Sequence, residues 1–329
     1  MRRLSSNLRQ AALLGLLVLA LLAMLALIAL WIVRTPWGTR FQGSGTQDVG
    51  YQPVYLAAPE APTARLPHVI IGIHPLHNPN RLFEVYGPLI DLLNARIPTV
   101  RFELEASRNY DEYDRKLYAR RYGFALPNPY EIVMSIGRGY RVIAKADNDE
   151  QFRGLIIVRR DSSITQPADL RGKAVSFPAP TALAATMMPQ QFLRDHGGLG
   201  QDDYRVRYVG SQESSIMNVV LGTTEAGGTW PPPWIAFQKR QPAEAARLRL
   251  IWSTDPLPSI GWVARNDLDP QLVEQVRRLL VGLQAHPQDH KLLEPMGLPG
   301  FVTADNDTYR PVHDFLTRFN RSVRPIDTP

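Results

Sequence analysis

There is no cysteine anywhere in the 329-residue chain. That excludes disulfides, thiolate metal sites, cysteine nucleophiles and a lipid anchor built on cysteine. The same absence fits an oxidising compartment, where a free thiol is a liability. The chain also lacks a G-x-S-x-G elbow and a P-loop, and Gly137-Arg138-Gly139 has glycines without the spacing of a dinucleotide fingerprint. His74 and His77 are three apart with no carboxylate or third histidine beside them, and they read as solvated or capping side chains rather than metal ligands. His286 and His290 read as side chains at a helix end. No order of Ser, His and Asp makes a catalytic set. A non-enzyme that needs no cofactor is the expectation.

Acidic residues are missing from the first 40 positions, which hold Arg2, Arg3, Arg9, Arg34 and Arg40. Taking these 5 from the 37 basic residues leaves 32, against 31 acidic ones, so the net charge of +6 sits almost wholly at the amino end. The remainder is nearly neutral and carries no electrostatic footprint for nucleic acid.

What the amino end does have is an uninterrupted apolar run of 23 residues, Ala11 to Val33. A bilayer core of about 30 Å needs roughly 20 such residues. A cleavable signal peptide has a shorter apolar stretch, about 7–15 residues, and a small-x-small cleavage site. Here the run ends Leu30-Trp31-Ile32-Val33, and Trp31 and Trp37 stand where an interfacial aromatic belt would lie. The expected order is a cytoplasmic tail at 1–10, a single inner-membrane span at 11–33 with the carboxyl side in the periplasm, and a linker at 34–67. The glycines and prolines from Gly43 to Pro67 make a tether reaching about 90 Å if fully extended.

From residue 68 the pattern alternates short apolar runs with helical periodicity. HVIIGIH at 68–74 reads as a buried strand, and Leu82, Phe83, Val85, Leu89, Ile90, Leu92 and Leu93 give the apolar face of a helix. Val100 to Leu104 alternates as a strand, Asn109 caps a helix through Arg120, and strands follow at 123–126, 141–145 and 155–159. Beyond them come a strand at 174–177, a helix from Thr181 to His196, a strand at 205–209, a helix near 214–221 and an amphipathic helix at 270–285. This is an α/β fold, expected to have mostly parallel sheets. Asp111, Glu112, Asp114, Arg115 and Lys116 read as a solvated helix face, and TWPPPW at 229–234 as a loop stiffened by proline.

Seven stretches occur in a telling order: HVIIGIHPL, FEVYGPLIDLLN, EASRNYDEYDRKL, FALPNPY, FRGLIIVRRDSSITQPADLRGKAVSF, MMPQQFL and YVGSQESSIMNVVLG. Together they resemble the phosphate/phosphite/phosphonate-type periplasmic binding proteins of ABC transporters, over residues 68–316. The resemblance implies a type II periplasmic-binding-protein fold. Its two α/β lobes, joined by a hinge, would comprise 68–150 with 261–329 and 151–260, and a small-molecule ligand would lie in the cleft. It implies an ABC transporter permease as partner; a signalling partner reporting the ligand is the alternative, and an enzyme on the same fold a third reading.

Carried over residue by residue, the resemblance retains the first-lobe tyrosine as Tyr110 and the polar position after a strand as Asn128. The aromatic before the second lobe becomes Phe152. The family's hydroxyl-rich helix start falls on Ala182, Leu183, Ala184 and Ala185, its histidine on Gln212, and its acidic positions near Pro233 and Ile260. The donors that read a phosphonate are therefore largely replaced. The expected site is aromatic and lightly polar: Tyr110, Asn128, Tyr130, Phe152, Thr181, Gln212, Trp230 and Trp234. It suits a larger, partly apolar or heterocyclic solute held by stacking. Packing between lobes is the plainer role for the tryptophans, a rigid turn for Pro127 to Tyr130, and an ordinary helix face for Tyr110.

Overall fold

The computed structural model describes residues 66–326 apart from Asn78. The expected tail, span and nearly all of the linker lie outside these residues. Among the described residues no helix is long and apolar enough to cross a membrane.

Strand β1 (His68–Ile73) leads through helix α1 (Pro79–Arg96) to β2 (Arg101–Glu105), then through α2 (Tyr110–Tyr118) to β3 (Phe124–Leu126). Helix α3 (Pro129–Ile136) and β4 (Tyr140–Ala146) follow. The chain then crosses to a second sheet: β5 (Leu155–Arg159), β6 (Ala174–Phe177), α4 (Met188–Gly197), β7 (Arg205–Tyr208), α5 (Gln212–Val220), β8 (Ala226–Thr229), α6 (Pro231–Arg240), α7 (Pro242–Ala246) and β9 (Leu248–Ser253). It returns with β10 (Gly261–Arg265), α8 (Pro270–Gly282), α9 (Pro287–His290), β11 (Phe301–Thr303) and α10 (Arg310–Ser322).

The first sheet has the order β11-β4-β10-β3-β1-β2 and the second β7-β6-β8-β5-β9. Both are mixed, which corrects the expectation of mostly parallel sheets. Strand β1 runs parallel to β2 and β3, and β6 parallel to β7 and β8. Strands β10 and β5 run antiparallel to their neighbours. They are the strands by which the chain enters a sheet from the other one, with no helical crossover to reverse its direction.

Two segments join the sheets, 147–154 and 254–260, and they are stitched together. Gly154 donates to Thr254 Oγ1 at 2.9 Å, Thr254 N donates to the Gly154 carbonyl at 2.9 Å, and Leu257 N to Phe152 O at 3.0 Å. Asp149 adds a 2.9 Å acceptor for Ser259 N while pairing with Lys145.

Period-2 alternation explains the second sheet's two apolar faces. Ile156 and Val158 join Val175, Phe177 and Leu193 on one side; Leu155 and Ile157 join Ile216, Val219 and Trp234 on the other. Strand β8 reads Ala-Gly-Gly-Thr and has no apolar signal in the sequence. Its glycines are required by close approach: a Cβ on Gly227 would come within 2.7 Å of Val219 and one on Gly228 would overlap the Ala185 carbonyl oxygen. TWPPPW is not a loop, which corrects the earlier reading. Thr229 closes β8, and three prolines occupy the first turn of α6, where a missing N–H costs nothing.

Gly228→Ala is expected to cost about 1–3 kcal/mol by overpacking. The check is urea unfolding, with the midpoint lowered and the m-value unchanged. An unchanged midpoint would mean that β8 and the 183–187 turn are not in contact.

Candidate ligand-binding cleft

The carboxyl ends of parallel strands are where open α/β sheets present ligand groups. Here those of β1 and β3 face those of β6 and β8. His74 follows β1, Asn128 follows β3, and Tyr110 opens α2. From the other side come Ala182–Ala185 after β6, Gln212 at the start of α5 and Trp230 after β8. Phe152 and Ile260, from the two joining segments, complete the lining.

These residues enclose a cavity of only about 10 Å³. That is room for roughly one water molecule. Phe152 and Trp230 meet edge to face at 5.3 Å between centroids, and Leu183 is fully buried. Gln212 Nε2 reaches across to the Tyr110 hydroxyl at 3.4 Å. The cleft is shut upon its own side chains.

What shuts it is the turn at 178–182. Asn128, the N-cap of α3, accepts from Tyr130 N and Glu131 N through its side-chain oxygen, and its Nδ2 donates to Thr181 O at 3.2 Å. Arg324, just past α10, donates to Pro180 O at 2.6 Å and stacks over Phe319. Gln191 of α4 bonds Ser322 of α10 at 3.2 Å. Two successive carbonyls of one side are thus held by side chains from the other.

A carboxyl pair lies behind this contact. Glu131 is fully buried; burial and the neighbouring Asp114 carboxylate push its pKa well above the ordinary range. Burial drives Asp114 up to about 7, opposed by the nearby Glu131 carboxyl and Thr181 hydroxyl. The charge run at 111–116 is therefore not wholly a solvated face: Asp114 is buried, a correction to the earlier reading. Its spacing from Tyr110, Tyr113 and Leu117 places it on the same helix face as those buried residues, and that periodicity was the available signal.

His74 is likewise buried rather than solvated. Burial lowers its pKa to about 4, and its Nδ1 lies 2.9 Å from Leu126 O, so it is a neutral wall of the cleft beside Tyr110. Among the described residues no group of three or more His, Cys, Asp or Glu is arranged to hold a metal.

Of the eight expected site residues, the structure gathers Tyr110, Asn128, Phe152, Gln212 and Trp230 around one cavity. Thr181 stands beside it, its carbonyl taken by Asn128. Tyr130 is fully buried in α3 and Trp234 packs on Phe237 in the second sheet's outer core, 6.2 Å between centroids; neither lines the cavity. The expected helix from Thr181 begins instead with a π-turn at Leu183–Met187. His74 and Arg324 were not expected here. The apolar strand end at Ile73 could have flagged His74, whereas nothing in sequence spacing ties Arg324 to Pro180.

Residues 71–309 match the sequence profile of the family described as the periplasmic substrate-binding protein of ABC phosphonate transporters. Among solved structures the fold is similar to a binding protein component of an ABC phosphonate transporter from Pseudomonas aeruginosa. That pair has a TM-score of 0.71 and 15% identity, over 78% of this chain and 88% of that one. It is also similar to a Prochlorococcus marinus protein in complex with methylphosphonate, with a TM-score of 0.70 and 18% identity over 77% and 98%. A Xanthomonas citri protein bound to ATP gives a TM-score of 0.64 and 18% identity over 78% and 99%.

A carboxyl group whose pKa is raised on folding keeps a proton that the unfolded chain has already released. Folded stability therefore falls as pH rises from about 4 to about 7 through this pair. Asp114→Asn is expected to flatten that slope and to raise stability at pH above 7 by about 1–3 kcal/mol, measured by urea unfolding across pH. An unaltered slope would remove the pair from the account.

Proposed function

The chain belongs to the phosphonate-type periplasmic substrate-binding protein family of ABC transporters, and from that premise we propose that it binds a ring-bearing, partly apolar solute rather than a small phosphonate. We place its binding domain in the periplasm, tethered to the inner membrane by residues 11–33. The family consists of binding components of transporters, and the partner we assign is a permease. The signalling alternative is not favoured, because the matching family is a transport one.

The observation that carries the reading is the inner cleft's lining. The turn that would offer hydroxyls to an oxyanion is Ala182-Leu183-Ala184-Ala185, and all four side chains are buried. A dianion desolvated against them would lack charge-assisted donors. Phe152 and Trp230 instead offer faces and edges to a ring, and Tyr110, Asn128 and Gln212 a few hydrogen bonds. Residues 68–150 with 261–329, and 151–260, act as two lobes moving about the joined segments 147–154 and 254–260. For a solute to enter, Leu183 must withdraw from between them, so opening breaks the Asn128 and Arg324 contacts to the 180–181 carbonyls.

The test is calorimetric titration of the full chain in detergent with aromatic and heterocyclic acids beside methylphosphonate. An aromatic acid is expected to bind best, and Trp230→Ala to weaken it about tenfold, the worth of a lost stacking contact with its buried area. Methylphosphonate binding more tightly than any ring-bearing acid, and lost in W230A, would overturn the reading.

A further inference from the structure

A second cavity opens at the rim of the cleft and is far roomier than the first, about 170 Å³. One side is formed by the turn after β1, with His77 and Arg81, and by Arg108 ahead of α2. The other is formed by the amino end of α5, with Gln212 and Glu213, and by Arg240 of α6. Gln212 is the one residue that lines both cavities. We propose that this rim cavity is a separate binding site for an oxyanion of the phosphate class, held by Arg81, Arg108 and Arg240.

The cations are set in place from behind. Arg81 pairs with Glu84 at 2.8 Å, Arg108 with Glu112 at 2.8 Å and Arg240 with Glu213 at 3.1 Å. A guanidinium has five N–H donors in a planar fork, so bracing by a carboxylate on one edge is compatible with receiving an oxyanion on another. Glu84 and Glu112 are not part of the cavity wall. Glu213 is its one acidic member, and both its oxygens are already engaged, by Arg240 and by Gln241 at 2.9 Å. The cavity wall thus carries three guanidiniums and one carboxylate, with Glu84 and Glu112 offsetting part of that charge from behind.

His77 reports that field. Burial first, then Arg81, His74 and Arg240, hold its pKa down at about 4. The nine-residue α5 adds its amino end: Ser211 caps Ser214 N, and the amides of Gln212 and Glu213 stand in the turn that has no intrahelical acceptor. Gln212 is the independent pointer to a ligand. It is 4% exposed, and its side-chain Oε1 has no hydrogen-bond partner. A hydrogen phosphate, or a singly protonated phosphonate, carries a P–OH that donates to this oxygen once the side chain turns toward the cavity, while its other oxygens accept from the arginines.

The two walls of the cavity come from elements of opposite sheets, so an oxyanion bound there bridges the β1–α1 turn to α5 and α6. The site therefore binds to and favours the shut form. It does not depend on which solute the inner cleft takes.

The experiment is isothermal titration of the full chain in detergent with inorganic phosphate at low ionic strength, chloride held constant. Arg108→Gln and Arg240→Gln are each expected to weaken phosphate about tenfold, the scale of one charge-assisted hydrogen bond. Glu213→Gln, which removes the acidic wall, is expected to tighten it severalfold, a gain that misfolding cannot produce. Trp230→Ala is expected to leave phosphate binding unchanged while weakening any inner-cleft solute, which separates this site from the function proposed above. Competition by methylphosphonate as strong as phosphate itself assigns the site to the PO₃ group in general; weaker competition assigns it to free phosphate. No phosphate binding to the wild type, no gain in E213Q, or loss in W230A with retention in R240Q would each overturn the site.

Discussion

Two backbone carbonyls, those of Pro180 and Thr181, determine the state of this molecule. Each is taken by a side chain from the opposite sheet's side, Arg324 at 2.6 Å and Asn128 at 3.2 Å. Because the turn that carries them also leads into Leu183–Met187, holding the carbonyls presses Leu183 into the cleft and leaves a cavity of about 10 Å³. The apolar contact and the hydrogen bonds reinforce each other. In the shut form these part-buried carbonyls would be costly to leave without partners, and Leu183 exposed to water would be costly too. The paired joining segments then act as the axis about which this contact makes or breaks.

The consequence for function is a division of labour along the cleft. Its interior is ring-lined, with His74 held uncharged by burial and the pKa values of Asp114 and Glu131 raised by burial behind it. Its rim carries three arginines, each braced by a carboxylate. On the proposals above, the ring of a solute and its anionic partner, or a separate anion, would be read by different surfaces. Burial decides the first surface and charge the second.

Much of the fold was legible in the sequence because apolar periodicity writes it plainly. Leu82, Val85, Leu89 and Leu93 mark α1, and Leu272, Val273, Val276 and Leu280 mark α8; all of them are buried. Asn109 caps α2 as its side-chain type predicts. Two of the elements that were missed have signals of another kind. Strand β8 is built from glycines demanded by the neighbouring Ala185 carbonyl and Val219, contacts that only the folded chain creates. Helix α6 hides behind three prolines that read as a loop until their place in a first helical turn is known. In the cleft, five of eight expected residues converge because they sit at strand ends and helix starts, which sequence can locate. Trp234 lies one helical turn on from Trp230 and faces the outer core instead, a difference that appears only once α6 is recognised as a helix.

The central claim is that the cleft closes on its own side chains and is rebuilt away from small phosphonates. With no cysteine in the chain, a pair introduced at the exposed positions Asp91 and Asp202, on opposite sides of the cleft, can be spin-labelled without background. Electron–electron distance measurement on Asp91→Cys/Asp202→Cys without solute should give one narrow distance, that of the shut form, unmoved by methylphosphonate. A long distance without solute that shortens when methylphosphonate is added would contradict the account.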